Sequence, residues 1–244
     1  MMEFRLESWG AMAPGLESKA DWQQWLRNPV EINAALGQVS LPGIPAMLRR
    51  RFNTLGKCAM AAALPLVQEI EAIPSIFASR HGDTETSYSL LHSIGQNEPM
   101  SPTSFSLAVH NAVAGLFSIA RKDTSAVTAI AAMEGLVLQA LLEAIGQLQQ
   151  SERVLCVIYD IPLPDYYRQH SDDTGNRFPY AIAMILSRVD GEAYVLEADA
   201  PAAPAGPGPG DSEPMRLLSL LSGLTGETRL RQNAGAWRMA RVSV

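Results

Sequence analysis

The sequence predicts an α/β fold in which one mixed sheet carries helices on both faces. Segments with strand periodicity and segments with helix periodicity alternate along most of the chain. Some strand segments are continuous apolar runs, such as "RVLCVIYD" at 153–160, which are typical of strands buried in a parallel sheet. Asp190-Gly191 lies between two later strand segments and is a hairpin signal, so we expect the last strands to be antiparallel.

The elements follow one another along the chain with clear boundaries. Strands are predicted where apolar residues alternate or run together between turn residues, at 4–13, 74–82, 125–131, 153–164, 180–188, 193–199 and 236–242. Helices are predicted where apolar residues recur every three or four positions, at 19–26, 47–70, 102–119, 133–150 and 215–224. Ser101-Pro102 supplies a cap and a first-turn proline for the third of these helices.

Composition limits the classes of function. The chain has 244 residues, of which 47% are hydrophobic and 18% charged, enough for one substantial core. Its net charge of −6 does not favour a nucleic-acid surface or an anionic membrane. Cys58 and Cys156 lie in apolar surroundings, which predicts buried free thiols rather than a disulfide. No segment is long and apolar enough to span a membrane, and the first residues lack the order of a signal peptide, so we expect a cytoplasmic protein.

One stretch of unusual composition divides the chain. Residues 199–214, "DAPAAPAGPGPGDSEP", mix Pro, Gly and Ala and predict a flexible loop. Residues 1–198 are therefore expected to form the main domain. Residues 215–244 are too few for a second domain and are expected to complete the first with a short helix and a strand.

No common catalytic motif is present in the sequence, but two groups of polar residues are candidates. There is no Gly-x-Ser-x-Gly elbow, phosphate loop, dinucleotide fingerprint or Cys-x-x-Cys pair. His81 and Asp83 flank Gly82 in "SRHGD", which fits either a turn after a strand or a catalytic or metal site. His110-Asn111 interrupts an apolar helix and fits either a hydrogen-bonded core pair or a catalytic residue.

A third candidate follows a predicted strand end. "DIPLPDYY" presents Asp160, Asp165, Tyr166 and Tyr167 where ligands often bind in open α/β sheets. The two prolines of this segment make a fixed loop an equally good interpretation.

"TAIAAMEGLVLQALLEA" at 128–144 has the layout of an enzyme elbow, a strand that turns sharply into a long helix. The position at which a nucleophile would stand holds Glu134. A carboxylate at a helix N-terminus is stabilised by about 0.3–1 kcal/mol. Glu134 is therefore expected to act as an N-terminal cap, and a chemical role is the alternative.

These residues resemble a known family. The order of elements, together with "SPTSFSLAVHNAVAGLFSIA" at 101–120, the elbow and "ALLEA" at 140–144, resembles the N-terminal half of β-ketoacyl synthases, the condensing enzymes of fatty-acid and polyketide synthesis. The resemblance covers most of residues 1–198. The sequence is especially similar to a short branch of this family. Members of that branch carry only the N-terminal half and are described as chain-length-factor-like in bacterial aryl-polyene and related polyketide clusters. The resemblance implies a thiolase-like half-domain with a five-stranded mixed sheet, helices on both faces and the second half missing.

The resemblance also shows what this sequence lacks. In condensing enzymes a Cys opens the elbow helix, whose N-terminus helps to form the thiolate. Counting back from "LLEA" places that Cys at Glu134, and an anchor on "TAIA" places it at Ile130; neither residue is a thiol. The two histidines of condensing enzymes come from the C-terminal half, and no histidine follows His170. The resemblance therefore implies that the chain does not condense acyl thioesters by itself and belongs to a 3-oxoacyl-carrier-protein synthase complex.

Two functions follow as alternatives. The first is a non-catalytic chain length factor that pairs with an active ketosynthase, shapes elongation and helps to present an acyl-carrier protein. The second is a small acyl-thioester decarboxylase or hydrolase that uses Glu134, His110 or the "SRHGD" turn. The resemblance implies no metal and no tightly held cofactor. It places the partner interface at "TSAVTAI", with Thr124, Val127 and Ile130 as interface residues, and it leaves a homodimer possible for the chain alone.

Overall fold

The chain folds around a single β-sheet. The computed structural model describes residues 1–170, 176–199, 210–232 and 235–242. The eight strands of the sheet within these ranges are β1 (Met2–Met12), β2 (Ser75–Ser79), β3 (Val127–Ala131), β4 (Arg153–Asp160), β5 (Tyr180–Ser187), β6 (Glu192–Asp199), β7 (Glu227–Gln232) and β8 (Gly235–Arg241). They lie in the order β3-β2-β4-β5-β1-β6-β8-β7. The helices of the same ranges are α1 (Lys19–Arg27), α2 (Ala46–Arg49), α3 (Thr54–Ala63), α4 (Thr84–Gly95), α5 (Pro102–Leu107), α6 (Ala112–Arg121), α7 (Leu136–Gln147), α8 (Asp165–Gln169) and α9 (Glu213–Leu221).

The sheet is mixed, as predicted. β2 pairs in parallel with β3 and β4, and every other pairing is antiparallel. β2 and β5 are buried along their whole length, which matches their apolar runs at residues 76–78 and 180–186. The prediction of five strands is wrong, because residues 2–199 already form the six strands β1–β6, and the chain after residue 210 adds β7 and β8, which join the sheet through β6.

The hairpin predicted at Asp190-Gly191 does not form. β5 and β6 do not pair with each other, because β1 lies between them and pairs with both. The connection crosses β1 near Leu6, where the β1–β5 register shifts. Gly191 has a φ of +104°, and a Cβ atom there would lie 2.2 Å from the Leu6 carbonyl oxygen. This crossing therefore requires glycine for close approach as well as for its backbone conformation.

Two predicted helices are each divided. The segment 47–70 forms α2 and α3, separated at buried Phe52 and at Asn53, whose side chain accepts the Gly56 N–H and caps α3. The same segment ends in a 3₁₀ turn at Leu64–Val67 that contains Pro65. The segment 102–119 forms α5 and α6, which are separated at residues 108–111. His110 lies in this gap.

Helices cover both faces of the sheet. α3 and α6 pack on one face, with Phe77 and Phe117 in ring contact at 5.1 Å. α1, α7 and α9 pack on the other face. The apolar side chains of α7 share one core with Trp22 of α1 and Met215 of α9. The end of the chain thus covers the elbow helix.

Most of the Pro/Gly-rich segment 199–214 lies outside the described residues, so its predicted flexibility stays a prediction. In the described ranges, no helix is long and apolar enough to cross a membrane.

Candidate site at the carboxyl edge of the sheet

The elbow forms where the sequence predicts it, but Glu134 does not cap the helix. β3 ends at Ala131 and α7 begins at Leu136. The N-cap residue is Gly135, with a φ of +63°, and no side chain of its own segment caps the helix. Glu134 lies one residue further out and is exposed to solvent. The expectation that Glu134 is the N-terminal cap is therefore wrong, because the chain turns through a left-handed glycine immediately before the helix.

A different carboxylate reaches the N-terminus of α7. Glu213, in the first turn of α9, accepts the backbone N–H of Val137 at 3.4 Å through Oε2. Its Oε1 atom accepts the backbone N–H of Arg231 in β7 at 3.1 Å. Burial raises the pKa of Glu213, while these two amides and nearby Arg216 act in the opposite direction. Sequence analysis did not identify Glu213, since nothing near "SEP" at 212–214 indicates contact with a helix 76 residues away.

The ends of β2 and β4 meet in a buried polar network. The Asp160 carboxylate accepts the Ser79 hydroxyl at 2.9 Å, the Arg80 Nε–H at 3.0 Å and the Arg80 backbone N–H at 3.2 Å. The Gly82 backbone N–H donates to the Ser79 hydroxyl oxygen at 2.9 Å. Burial raises the pKa of Asp160, and the Arg80 guanidinium opposes that rise. The donors surrounding Asp160 indicate a structural role rather than a free base.

The structure brings His110 to the "SRHGD" turn. Its Nε2 atom lies 3.0 Å from the Ser79 carbonyl oxygen, and its ring packs against Gly82. A carbonyl oxygen only accepts, so Nε2 carries the proton in this contact and is not available there as a base. Asp83 accepts the Thr86 N–H at 3.0 Å, caps α4 and contacts the Asn53 amide. Both candidates therefore fit a hydrogen-bonded turn after a strand.

The "DIPLPDYY" segment also forms contacts within the chain. Asp165 pairs with Arg168 in the short helix α8. Tyr166 stacks on Tyr88 of α4 with ring centroids 6.0 Å apart, and Tyr167 packs edge-on against Tyr88 at 5.9 Å. These rings join α8 to α4 at the surface.

Both cysteines are buried free thiols, as predicted, and neither is at the elbow. Cys58 lies in α3 and Cys156 in β4, each fully buried. Burial raises the pKa of both thiols to about 12. At neutral pH each is a protonated thiol, which is a poor nucleophile. Among the described residues there is also no cluster of His, Cys, Asp or Glu arranged to hold a metal ion.

The sequence matches the model of a known protein family over most of its length. Residues 22–236 match the model of the β-ketoacyl synthase N-terminal domain, which is most of the chain. This chain belongs to the β-ketoacyl synthase N-terminal domain family. No curated protein matches it.

Solved structures share this β-ketoacyl synthase fold. The ketosynthase ApeO in complex with its chain length factor ApeC, from Xenorhabdus doucetiae, matches with 23% identity over 99% of this chain and 100% of that chain, at a TM-score of 0.85. The ishigamide ketosynthase/chain length factor matches with 15% identity over 82% and 68%, at 0.64. A β-ketoacyl synthase from Burkholderia phymatum matches with 10% identity over 93% and 71%, at 0.62. The chain thus has the thiolase-like fold of a ketosynthase half-domain.

The predicted interface segment lies at an edge of this ketosynthase-like sheet. β3 is the outermost strand next to β2, and its side chains alternate between exposed and half-buried. Thr124 and Val127 are exposed, whereas Ile130 is half-buried against the core. An outermost strand in this position can pair with a strand of another chain. Whether these residues contact a partner stays a prediction.

Apolar side chains are also exposed on the two helices that follow β2. Neither α4 nor α5 contains a buried residue. The large exposed apolar side chains of this region are Tyr88, Leu91, Ile94, Met100, Phe105 and Val109. We call this set the α4–α5 surface. Exposed apolar surfaces of this kind usually mark an interaction site.

Proposed function

We propose that this chain is a non-catalytic chain length factor that pairs with an active ketosynthase and shapes acyl-chain elongation on an acyl-carrier protein. The elongation would belong to fatty-acid or polyketide synthesis, with aryl-polyene clusters as the specific setting. The observation that carries the proposal is the elbow, which has the layout of a condensing enzyme and no thiol, while both cysteines are buried elsewhere. Nucleophilic condensation needs an activated thiolate at that position.

Two exposed parts of the surface support the proposal that the chain pairs with another protein. The edge strand β3 and the α4–α5 surface, joined through α6, together expose both backbone hydrogen-bonding groups and large apolar side chains. A stable heterodimer of this kind buries on the order of 2,000 Å² or more. An active ketosynthase is the partner we propose for this surface, since two of the similar solved structures are named as ketosynthase and chain length factor pairs.

The alternative, a small acyl-thioester decarboxylase or hydrolase, has less support. Glu134 is exposed, and His110 Nε2 faces a carbonyl oxygen. An ionised glutamate also offers no donor to a developing oxyanion and repels a malonyl carboxylate.

The isolated chain is expected neither to load nor to condense acyl groups. Incubation with acyl- and malonyl-carrier protein should leave its intact mass unchanged and release no carbon dioxide above background. The Glu134→Gln and His110→Ala variants should behave identically, because neither residue is assigned chemistry. A covalent acyl adduct on the native chain, or carbon dioxide release that Glu134→Gln changes severalfold, would contradict the non-catalytic proposal.

A basic patch supports the carrier-protein part of the proposal. Arg49, Arg50 and Arg51 are consecutive and exposed in a chain of net charge −6. In the described ranges, none of the three makes an ion pair, and Met47 beside them is 82% exposed. Asn53 contacts Asp83 after β2, so the patch lies at the same edge of the sheet as the polar network. An acidic carrier protein fits such a patch by charge complementarity.

Reversing the charge of this patch is expected to weaken carrier binding. Arg49→Glu/Arg50→Glu/Arg51→Glu should lower the affinity of the ketosynthase pair for its acyl-carrier protein by about tenfold or more, because like charges at a rim repel. Binding would be measured by fluorescence anisotropy at two salt concentrations, with a smaller salt dependence expected for the variant. Arg188→Glu is the control. Arg188 is exposed and follows the last residue of β5, which lies beside the first residue of β4 and so at the end of the strands opposite to Asp160. Equal losses in both variants would reject a specific patch.

A further inference from the structure

We infer that the C-terminal segment carries a built-in anion, the carboxylate of Glu213, which occupies the N-terminus of α7 and closes the elbow to any other anion. This role of Glu213 concerns the elbow alone and is independent of the proposed pairing with a ketosynthase.

The geometry of the contact is that of a cap supplied from a distant part of the chain. The first amides of a helix have no acceptor within the helix, and Gly135 offers no side chain to satisfy them. Glu213 Oε2 supplies that acceptor to the Val137 N–H at 3.4 Å. The other oxygen of the same carboxylate holds the Arg231 N–H at 3.1 Å. One side chain therefore ties together α7, α9 and β7.

Burial acts against an anion at this position and raises the pKa of Glu213, whereas the two amides and Arg216 stabilise the ionised carboxylate. The N-terminus of a helix carries a partial positive charge, which stabilises a carboxylate placed beside its free amides. The charged group that acts on Glu213 is Arg216 on its own helix, and Arg231 on β7 and Asp211 before α9 act in turn on Arg216. Arg216 contacts the Asp211 carbonyl oxygen and donates to the Arg229 carbonyl oxygen at 3.4 Å, so it is held near the carboxylate by the backbone.

As a consequence, the N-terminus of α7 already donates a hydrogen bond to the Glu213 carboxylate. The resemblance to condensing enzymes implies that an active elbow uses this terminus to stabilise a thiolate. A second anion placed there would face the Glu213 carboxylate at short range in a partly buried setting, where like charges repel strongly. The segment that covers α7 thus also supplies the anion that α7 would otherwise attract.

Chemical rescue tests this inference on the full chain. Glu213→Ala should raise the hydrogen-exchange rate of the Val137 amide by about tenfold or more, since each tenfold corresponds to a lost contact of about 1.4 kcal/mol. Sodium formate should restore much of the protection by taking the place of the lost carboxylate, whereas formamide, its neutral isostere, should not. Glu197→Ala is the matched control, because its carboxylate pairs with Arg238 at the surface, and it should change neither quantity.

Three outcomes would overturn the inference: native-like protection of Val137 in Glu213→Ala, equal rescue by formate and formamide, or no rescue by either. If Glu213→Ala does not fold, Glu213→Gln takes its place, because it keeps the shape of the side chain and removes only the charge. Faster exchange of Val137 in Glu213→Gln supports the built-in anion. Unchanged exchange in that variant reduces Glu213 to a packing residue and rejects the inference.

Discussion

Val127→Asp is expected to abolish pairing with a ketosynthase while leaving the chain folded. Val127 is 39% exposed on the outermost strand of the sheet, so an aspartate there remains hydrated in the separate chain. In a complex that covers β3, the same carboxylate would lose water without gaining a partner, which costs several kcal/mol. We therefore expect the affinity to fall by about a hundredfold or more.

Co-purification and light scattering measure this effect. The native chain co-expressed with its ketosynthase should elute as a heterodimer, and the chain expressed alone should self-associate through the same edge. Val127→Asp should elute as a folded monomer, with a circular dichroism spectrum like that of the native chain. Val189→Asp is the matched control, because Val189 is also exposed, at 57%, but lies in the connection between β5 and β6. Native-like pairing of Val127→Asp, or loss of pairing in both variants, would place the interface elsewhere.

The sequence predicted the strands of the central sheet well because their signal is local. β2 is apolar over residues 76–78 and β4 over residues 154–159, and turn residues bound each of them. A strand buried on both faces is mostly apolar, so its own residues are enough to identify it. The same holds for the elbow, where a β-prone segment, a glycine and a long amphipathic segment follow one another directly.

The pairing of strands was predicted less well because it depends on distant residues. A turn at Asp190-Gly191 was correctly placed, but the strands on either side pair with β1 from the other end of the chain. Nothing in the turn distinguishes a hairpin from a crossing over a third strand. The contact of Gly191 with Leu6 appears only once β1 is in position.

The candidate site shows the same division between local and distant signals. The "SRHGD" turn, His110 and Asp160 were each identified as unusual polar residues from the sequence. Their proximity follows from the parallel pairing of β2 with β4 and from the gap between α5 and α6. Glu213 and its contact with α7 could not be predicted, because a glutamate at a helix start is common and its partner is a backbone amide.

Asp160→Ala is expected to be among the most destabilising single substitutions in the described part of the chain. The carboxylate is almost fully buried and accepts from Ser79 and Arg80, which lie on the neighbouring strand and the turn that follows it. Removing one partner of a buried ion pair leaves the other charge without compensation, at a cost of about 3–5 kcal/mol. Asp160→Asn keeps the shape and one acceptor oxygen, so we expect it to cost less, about 1–3 kcal/mol.

Urea denaturation of the native chain and of both variants measures these costs, and Asp165→Ala is the control. Asp165 pairs with Arg168 but is 78% exposed, and such surface pairs contribute about 0–1 kcal/mol. The dependence on pH gives a second readout. Because burial raises the folded-state pKa of Asp160 above its ordinary value, the unfolded chain loses this proton first as pH increases. The contribution of this group to stability is therefore fully present below the ordinary aspartate pKa and declines as pH rises through the raised value.

Asp160→Asn cannot titrate, so its stability should lack that decline and approach the native value more closely at neutral pH than in mild acid. This comparison separates the charge of Asp160 from its hydrogen bonds, because the amide retains part of the network in either condition. A loss in Asp160→Ala no larger than that in Asp165→Ala would show that Ser79 and Arg80 do not depend on the carboxylate. In that case the ends of β2 and β4 would be held by backbone pairing alone.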